Sequence, residues 1–467
     1  MAEDAPAPAL RLYDTLTRET LPLRPADGQR LRCYTCGPTV YGPAHIGNFR
    51  TFVLTDVLIR TARVAGLKPY SVRNITDVDD KTIRDSQAAG EDLRRFTDRW
   101  TERFHADCER LNLLTPDAEP RATDHIDDQI RLIEALIGRG HAYASDGSVY
   151  FDVSSFADYG KLSHMDPAAL QTQAETSGGR TNDADEYDRE AVADFALWKA
   201  HKAEDGPVAW DSPWGRGRPG WHLECSAMSM RYLGESFDLH GGGEDLCFPH
   251  HENEIAQSEG ATGQPFAAHW FHCVHLLVEG RKMAKSLGNF FTIEDLIDGE
   301  GYAPMEVRYL LLSGHYRQQL NFTKGGLQAA RSALEKLGKV AGDRKPAPPF
   351  NDGWGVFANA WQALCNDLNT PAALGAFFAG LKTADLARPE DAAGLDKLLY
   401  ALGLESTAPP GEAAPEAPAE VRQLAEERWA AKQAKDFATA DRLRAQIVEM
   451  GWLVKDGKEA YTLAPKG

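Results

Sequence analysis

Near the amino terminus, the sequence carries a strand, a turn, a helix and a second strand in an order that leaves few choices of fold. Residues 31–34 form a short apolar run that enters a Gly/Pro turn, and residues 48–65 form a long apolar-rich stretch. This stretch stops at Gly66, a residue type that ends helices. Residues 69–77 then alternate apolar and polar side chains. The spacing predicts a βαβ unit whose strands lie parallel in an α/β fold.

The rest of the chain divides by composition. Residues 121–218 are largely polar, contain the loop-like stretch 176–188, and interrupt the α/β pattern, which resumes near Trp221. Residues 326–404 are rich in Ala and Leu at helical spacing, which predicts a helical bundle. Residues 405–419 contain four prolines and little to bury, so they predict a linker before a small tail domain.

Charge limits the partners of this chain. Its 51 Lys plus Arg against 69 Asp plus Glu give a net charge of −18, which repels nucleic acids and anionic membranes at long range. A polyanionic partner must therefore meet a local basic patch, and the nearly neutral tail, residues 419–467, is the best candidate. The sequence has neither a basic, apolar leader nor a run of about 18 apolar residues, which predicts a cytoplasmic protein that does not span a membrane.

A Gly/Pro loop between the predicted strand and helix, residues 37–48, is the first candidate site. The free N–H groups and the positive dipole end of the following helix can meet a phosphate there. Gly47 permits close approach of such a group, and His45 can donate to one of its oxygens. The alternative is a plain structural turn.

A basic segment, residues 279–289, is the second candidate site. It places Lys282 and Lys285 three positions apart between glycines. Such a segment can close over a polyphosphate and neutralise the charge that grows on a departing pyrophosphate. The alternative is a solvated basic loop.

Dispersed cysteine, histidine and glutamate residues form the third candidate site. Cys36 lies on the first loop, and Cys225 lies in a second conspicuous segment, GWHLEC. Proline suits the first position of a helix, so Pro249 predicts a helix start that puts His250 and Glu254 on one face at i, i+4. Thiolate, imidazole and carboxylate are all zinc ligands.

Several alternatives stay open for these residues. Spacing does not exclude His251, which lies three positions before Glu254. Cys36 and Cys225 are too far apart for a local zinc-finger pattern, so buried cysteines without a metal are an alternative. Cys33 and Cys36 also form a CxxC, a spacing typical of redox pairs.

In combination and order, these motifs closely resemble the signatures of cysteinyl-tRNA synthetase, a family of class I aminoacyl-tRNA synthetases. The resemblance covers nearly the whole chain. His45 to Asn48 match the HIGH-type motif with Asn48 in place of the last His, and Lys282 to Ser286 match the KMSKS-type loop with Ala284 in place of the first Ser. The segments that carry the resemblance are residues 34–50, 220–226, 248–258, 282–288, 366–371 and 435–442.

The resemblance implies a Rossmann-like catalytic domain with a parallel sheet and an insertion, then a helical bundle domain and a small carboxy-terminal domain. It also implies a monomer. The implied boundaries are 1–120 and 219–283 for the two halves of the catalytic domain, 121–218 for the insertion or connective peptide, 284–325 for the KMSKS-type loop and stem-contact region, 326–404 for the bundle, 405–419 for the linker and 420–467 for the anticodon-binding domain.

The activity implied by the resemblance is that of a cysteine–tRNA ligase. Such an enzyme activates L-cysteine with ATP and Mg²⁺ to cysteinyl-adenylate and transfers the cysteine to the terminal ribose of tRNA(Cys), while one Zn²⁺ per chain selects cysteine over serine. By the same resemblance, the zinc ligands are Cys36, Cys225, His250 and Glu254, the catalytic residues are His45, Gly47, Lys282 and Lys285, the ATP-binding residues are His45, Gly47, Asn48 and Lys285, and the residues around the amino acid are Gly37, Thr76 and Trp221.

The tail offers candidates for tRNA contact. Trp429 and Trp452 can stack on anticodon bases or fill the small core of this domain. Five basic residues lie on a predicted helical segment, where a solvated face is the alternative to contact with tRNA. These basic residues are Arg428, Lys432, Lys435, Arg442 and Arg444.

Two rival functions are compatible with parts of the sequence. A cysteine ligase of the kind used in mycothiol synthesis makes the same adenylate and passes it to a small amine, but that relative looks like a synthetase without the tail domain. A non-catalytic RNA-binding or zinc-sensing paralogue should have lost the phosphate-binding residues, whereas His45, Lys282 and Lys285 are all present.

Overall fold

A computed structural model of the chain describes residues 9–165, 181–182, 194–283, 287–405, 418–433, 436–456 and 461–465. Most of the predicted linker, together with Lys285 and Lys435, lies outside the described residues. The chain divides into two compact units, Met1–Glu405 and Ser406–Gly467, and each is described by itself. In the described part of the chain, no helix combines the length and the apolar composition needed to cross a membrane.

The strands of the first unit form an amino-terminal hairpin, a central sheet, a sheet in the insertion and a short sheet that contains the basic segment. In chain order they are β1 (Arg11–Asp14), β2 (Glu19–Pro22), β3 (Leu31–Thr35), β4 (Pro69–Arg73), β5 (Ala142–Ser145), β6 (Ser148–Phe151), β7 (Thr181–Asn182), β8 (Asp194–Ala200), β9 (Gly217–Pro219), β10 (Leu239–Gly243), β11 (Trp270–Cys273), β12 (Leu276–Val278), β13 (Arg281–Lys282) and β14 (Leu320–Phe322).

The helices of the first unit connect these strands and then form the predicted helical region. In chain order they are α1 (Ile46–Val64), α2 (Asp80–Ala89), α3 (Leu93–Arg110), α4 (Ile126–Arg139), α5 (Trp221–Leu233), α6 (Glu252–Thr262), α7 (Pro304–Leu312), α8 (Lys324–Ala341), α9 (Ala358–Cys365), α10 (Thr370–Leu381) and α11 (Pro389–Leu402).

The central sheet has the strand order β11-β10-β3-β4, and all of its neighbouring strands are parallel. Helix α1 connects β3 to β4, so the predicted βαβ unit and α/β fold are confirmed. Because the chain leaves β3 toward β4 on one side and β10 lies on the other, the carboxyl ends of β3 and β10 flank a switch point, where open α/β sheets bind ligands.

Helix α1 is buried over most of its length, which explains its apolar sequence. It contacts the central sheet at β4, β10 and β11, and it also contacts α7 and α11. Gly66 follows the helix with φ 83°, a left-handed backbone that glycine adopts readily, as the sequence predicted for the helix end. The buried residues of α1 include Phe49, Val53, Leu54, Val57 and Leu58.

The insertion forms its own sheet in the order β5-β6-β8-β7, with β9 paired to β8. Of the loop-like stretch 176–188, only residues 181–182 are described, and they pair with β8 as β7. Lys199 of β8 and Arg218 of β9 both bond to the carboxylate of Asp80 at the start of α2. These ion pairs fasten β8 and β9 to the start of α2.

A buried ion cluster joins α1 to the helical region. Oδ2 of Asp56 accepts from Nε of Arg60 at 2.8 Å and from Nη2 of Arg308 at 2.6 Å. Nη1 of Arg60 also donates to Glu405 at 2.6 Å. Gly403 follows α11 with φ 62°, and a Cβ there would lie 2.0 Å from Nη2 of Arg308, so glycine is required for the cluster to form.

The second unit packs α12 (Ala419–Gln433) against α13 (Phe437–Glu449) and adds a hairpin of β15 (Trp452–Asp456) and β16 (Tyr461–Pro465). Its small core contains Val421, Ala425, Ile447 and Val454, with Trp452 packed against them.

The tail residues considered for tRNA contact differ in exposure. Arg428 is only 3% exposed, so burial removes it from the basic surface that the sequence suggested. Arg442 and Arg444 are exposed on α13. Nζ of Lys432 lies 5.6 Å from the ring centroid of Trp429, an interaction typical of a cation over an aromatic face.

Candidate active site

Cys36, Cys225, His250 and Glu254 meet in the interior of the first unit. Their potential ligand atoms all lie within 4.8 Å of one another, and all four residues are buried. The Sγ atoms of Cys36 and Cys225 are 3.8 Å apart, and Nε2 of His250 is 3.1 Å from Oε1 of Glu254. The structure thus brings together four residues that lie in distant segments of the sequence. A cluster of this kind could hold a metal ion.

Three elements position these side chains. Cys36 directly follows β3, and Cys225 lies in the second turn of α5. The chain before α6 is helical except at Phe248, whose φ of −139° and ψ of 135° are extended. Pro249 follows this kink, as predicted for a helix start, although the regular helix α6 begins at Glu252.

Contacts within the cluster shift the pKa values of three of its side chains. Burial would raise the pKa of Cys225, but hydrogen bonds with Cys36 and His250 lower it to about 6. Burial favours neutral His250, yet hydrogen bonds with Cys225 and Glu254 raise its pKa to about 10. Burial likewise opposes the charge of Glu254, while His240 and His250 lower its pKa to about 2. Cys225 and Glu254 therefore take the charged forms that bind metals, whereas His250 keeps a proton that a bound metal would have to displace.

A second group of potential ligands overlaps the first. It shares Cys36 and Glu254 and adds His240 and His251. Nε2 of His240 is 2.8 Å from Oε2 of Glu254, and Nε2 of His251 is 3.3 Å from Sγ of Cys36. Nδ1 of His251 is also 2.8 Å from Nε2 of His272. These contacts suit residues that orient the ligands of a metal.

Sequence analysis left His251 open and named neither His240 nor His272. The available signal was topological, because these two histidines lie in β10, which neighbours β3, and in β11, which neighbours β10. Strands that are parallel and adjacent bring such residues to one edge of the sheet, but the order of the strands is not visible in a single sequence.

The predicted substrate residue Gly37 lies where the loop after β3 meets the chain beyond β4. Thr39 and Thr76 form a parallel bridge there. The backbone N–H of Gly37 donates to Oδ1 of Asn74 at 2.8 Å. A Cβ at Gly37 would lie 1.7 Å from the carbonyl oxygen of Asn74, so this close approach requires glycine.

The first turns of α5 carry Trp221, Glu224 and Cys225. The ring of Trp221 lies 4.4 Å from that of His250, between centroids. Glu224 is 2% exposed and accepts a hydrogen bond from the hydroxyl of Thr76. The predicted amino-acid contacts therefore border the cluster. Sequence analysis missed Glu224, although its position three residues after Trp221 places it on the same helical face.

His45 and Asn48 cap the amino terminus of α1 reciprocally. Nδ1 of His45 accepts from the backbone N–H of Asn48, and Oδ1 of Asn48 accepts from the backbone N–H of His45, both at 3.1 Å. A Cβ at Gly47 would lie 3.0 Å from the His45 ring and 3.2 Å from Cε of Met283. The His45 ring also meets Phe290 edge to face, with 5.2 Å between centroids. The two predicted phosphate-binding segments are thus in contact.

Lys282 lies on the exposed strand β13, which pairs antiparallel with β12. Its carbonyl oxygen accepts from Nδ2 of Asn289 at 3.1 Å, which holds Lys282 and Asn289 together. The backbone N–H of Ile46 donates to the carbonyl oxygen of Phe291 at 3.0 Å. The chain just after Asn289 is therefore bound to the start of α1.

Comparison with known proteins gives consistent matches. The family described as tRNA synthetases class I (C) catalytic domain matches residues 22–332. A cysteine–tRNA ligase of Opitutus terrae is 54% identical over 463 residues, which cover 98% of this chain and 99% of that protein. A cysteine–tRNA ligase of Solibacter usitatus is 45% identical over 475 residues, which cover 96% of this chain and 98% of that protein.

A solved structure shares the fold. The methionyl-tRNA synthetase of Mycobacterium tuberculosis, in complex with methionyl-adenylate, aligns with a TM-score of 0.55 at 16% identity. The alignment covers 80% of this chain and 89% of that one. The structural likeness shows the fold, and the full-length sequence matches show that the chain belongs to the cysteine–tRNA ligase family of class I aminoacyl-tRNA synthetases.

Proposed function

We propose that this chain activates L-cysteine with ATP and transfers it to tRNA(Cys), acting as a monomer in the cytoplasm. The observation that carries the proposal is the buried cluster of two thiols, an imidazole and a carboxylate, whose Cys36 lies on the loop that leads to the capped start of α1. The cluster supplies a place for a thiol-bearing amino acid, and the helix start supplies donors for phosphates.

The donor set of Cys36, Cys225, His250 and Glu254 suits Zn²⁺. Two sulfurs that are each about 2.3 Å from a tetrahedral metal lie about 3.8 Å apart, which is the Sγ to Sγ distance between Cys36 and Cys225. When bound, zinc would supply selectivity, because a soft thiolate binds it far better than the neutral hydroxyl of serine. An apolar pocket alone rejects such a near-isostere by only about 10²-fold.

The phosphates of ATP, carried with Mg²⁺, are proposed to meet His45, Gly47 and Asn48. His45 donates from its ring, and the first N–H groups of α1 add their positive dipole end. Lys282 and Lys285 stabilise the negative charge on pyrophosphate as it leaves. The cysteine carboxylate attacks the α-phosphorus in line, so these residues work by positioning and by charge stabilisation.

While its thiol is held at the metal, the bound cysteine must direct its carboxylate toward the ATP phosphates. Gly37, Thr76 and Trp221 border the cluster and are proposed to hold the amino acid between the metal and the ATP phosphates. A terminal ribose hydroxyl of tRNA then attacks the activated carbonyl, which releases AMP. The second unit, with Arg442 and Arg444 exposed on α13, is proposed to contact the anticodon.

The test is transfer of labelled cysteine to unfractionated tRNA in the presence of ATP, Mg²⁺ and zinc, with labelled serine as the control. We expect charging with cysteine and none with serine. Pyrophosphate exchange that depends on cysteine, without charging of tRNA, would retain the adenylate chemistry and reject tRNA as the acceptor. Loss of both activities in folded, zinc-loaded protein would reject the ligase.

A further inference from the structure

Arg50 is a buried arginine on α1, five residues after His45. Its exposed fraction is 0%. In the described part of the chain no carboxylate pairs with its guanidinium, and its identified partners are three backbone carbonyl oxygens. A buried charge is costly unless polar groups compensate it, so these carbonyls fix the place of the guanidinium.

The three carbonyls belong to segments that lead into the short sheet of β12, β13 and β14. Nη1 of Arg50 donates to the carbonyl oxygen of His275 at 3.2 Å. Nη2 donates to the carbonyl oxygens of His315 at 2.9 Å and Gln318 at 2.6 Å. His275 directly precedes β12, and Gln318 lies two residues before β14. One side chain therefore ties α1 to the starts of two parallel strands.

The same sheet carries the basic segment. Strand β12 pairs with β14 on one side and with β13 on the other, where Leu277 lies opposite Lys282. Leu277 follows His275 by two positions, so a short piece of strand separates Lys282 from a carbonyl that Arg50 binds. Paired strands keep their register through their hydrogen bonds. The place of β12 relative to α1 therefore decides the place of Lys282.

The turn at residues 315–318 is held from its other side by Asp367. This carboxylate accepts from the hydroxyl of Tyr316 and from Nη2 of Arg317, both at 2.5 Å. Asp367 belongs to the segment 366–371, which carries the family resemblance and has no part in the proposed chemistry. Because the turn is bound from both sides, it is a firm point of attachment for the guanidinium.

We propose that Arg50 is a positioning residue that holds the basic segment at the distance from the start of α1 that the phosphates of ATP require. The inference deepens the proposed function and rests on it. Because Arg50 is fully buried, it does not touch ATP; it acts through the sheet that carries Lys282. The contact of Phe291 with Ile46 joins the two segments at the site itself, and Arg50 joins them at their base.

The test is cysteine-dependent pyrophosphate exchange by zinc-loaded protein, with zinc content and thermal unfolding recorded for each variant. Arg50→Met removes the three hydrogen bonds and keeps an unbranched side chain. Misplacement of a reacting group by about 1 Å costs roughly 10²-fold, so we expect kcat to fall by about that factor. The KM for cysteine and the zinc content should stay as in wild type, because Arg50 bonds to none of the four proposed ligands.

Two variants separate this role from charge and from stability. Arg50→Lys keeps the positive charge, but one ammonium group does not reproduce the planar fork that spans three carbonyls, so kcat should recover only in part. Arg60→Met is the matched control, since Arg60 is a buried arginine of the same helix that binds Asp56 and Glu405. It should lower stability and leave kcat unchanged.

A third comparison shows whether Arg50 acts through the basic segment. In protein whose Lys282 and Lys285 are both replaced by alanine, Arg50→Met should cause little further loss of kcat, because the changes share one effect. Hydrogen exchange adds a readout that does not depend on activity. The amides of residues 276–282 should exchange faster in Arg50→Met than in wild type, whereas those of α5, which carries Cys225, should not.

A wild-type kcat in Arg50→Lys overturns the inference, because charge alone would then suffice. Unchanged exchange at residues 276–282 also overturns it, as does a rise in the KM for cysteine as large as the fall in kcat. In each case, charging of tRNA by the wild type upholds the proposed function. If Arg50→Met does not fold, Arg50→Lys carries the same measurements. Wild-type protein that activates no cysteine would reject the proposed function and the inference together.

Discussion

The backbone N–H of Asn48 donates to Nδ1 of His45 over 3.1 Å. A ring nitrogen that accepts carries no proton, so the neutral imidazole of His45 is protonated at Nε2. The ring can therefore donate to a phosphate oxygen without carrying a positive charge. The side chain of Asn48 completes the cap from the other direction, which gives a physical role to a position where the motif departs from the family pattern.

Two replacements of Asn48 should distinguish the effect of the helix cap on stability from the effect of charge on ATP binding. Asn48→Ala loses the bond to the backbone N–H of His45, which should lower stability by about 1 kcal/mol and raise the KM for ATP several-fold. Asn48→Asp keeps the acceptor, so stability should be retained, but its negative charge should still raise the KM for ATP. Thermal unfolding and pyrophosphate exchange measure the two effects. An unchanged KM in Asn48→Asp would show that this loop does not meet the phosphates.

Glycine at position 37 should be indispensable for the substrate loop. In Gly37→Ala the new Cβ would collide with the carbonyl of Asn74, so the loop must move. Distortion of this kind costs about 1–3 kcal/mol, which corresponds to a rise of about 5- to 150-fold in the KM for cysteine if it falls on substrate binding. The matched control is Gly42→Ala in the same loop, where a Cβ meets nothing within 4 Å. Equal kinetics in the two variants would contradict the prediction.

Replacing Cys225 should lower the zinc content of the protein, whereas replacing Cys33 should not. Cys225→Ser removes a thiol of the cluster, so we expect loss of bound zinc, measured by elemental analysis, and weak activation of cysteine. Cys33 packs in the apolar core with Leu31 and α1, and Cys33→Ala should retain its zinc. Retention of metal in Cys225→Ser would reject the ligand set, whereas zinc loss in Cys33→Ala would revive the alternative that Cys33 and Cys36 act as a pair.

The buried ion cluster around Asp56 should make stability depend on pH. Burial opposes its charge, but Arg60 and Arg308 lower the pKa of Asp56 below its ordinary value. The stabilisation is therefore complete above the unfolded pKa of about 3.9 and is lost as the pH falls through the lower folded value. Asp56→Asn should cost about 3–5 kcal/mol at pH 7.

Thermal unfolding at a series of pH values measures this effect. The difference between wild type and Asp56→Asn should be constant near neutrality and narrow below about pH 4. The control is Asp298→Asn, which removes an exposed carboxylate bonded to Arg110 and should change little at any pH. A difference that does not narrow in acid would show that the charge of Asp56 is not what stabilises the cluster.

Replacing basic residues of the tail should weaken tRNA binding and leave activation of cysteine unchanged. Replacing both Arg442 and Arg444 with Ala should raise the KM for tRNA and weaken its dependence on salt, because exposed cations contribute through phosphate contacts. Pyrophosphate exchange without tRNA should be unchanged. Tight tRNA binding by the double variant would place the contact elsewhere in the chain.

The sequence predicted those parts of the fold that carry a clear local pattern. The strand β3, helix α1 and strand β4 carry their own periodicity and stop signals, so the βαβ unit was predictable. Near Trp221 the prediction was less exact, since the α/β pattern resumes there with α5 and the next strand of the central sheet begins only at Leu239.

Site residues were predictable only where the residue type itself suggests metal binding or catalysis. Cys225 and His250 stand out in any sequence, whereas the contact of Glu224 with Thr76 depends on which face of α5 meets the chain after β4. The burial of Arg428 likewise follows from packing within the second unit, and its charge alone suggested the surface. Contacts between distant segments were thus predictable only for the four residues that the family resemblance joins, and those of Glu224, His240 and His272 were not.

The two thiols of the cluster stand 189 positions apart along the chain. A ribosome adds about 5–20 residues per second, so roughly 10–40 s of synthesis separate the emergence of Cys36 from that of Cys225. During that time the first thiol has no second sulfur with which to share a metal. A metal site that needs both sulfurs is therefore completed only late in synthesis, long after Cys36 has emerged.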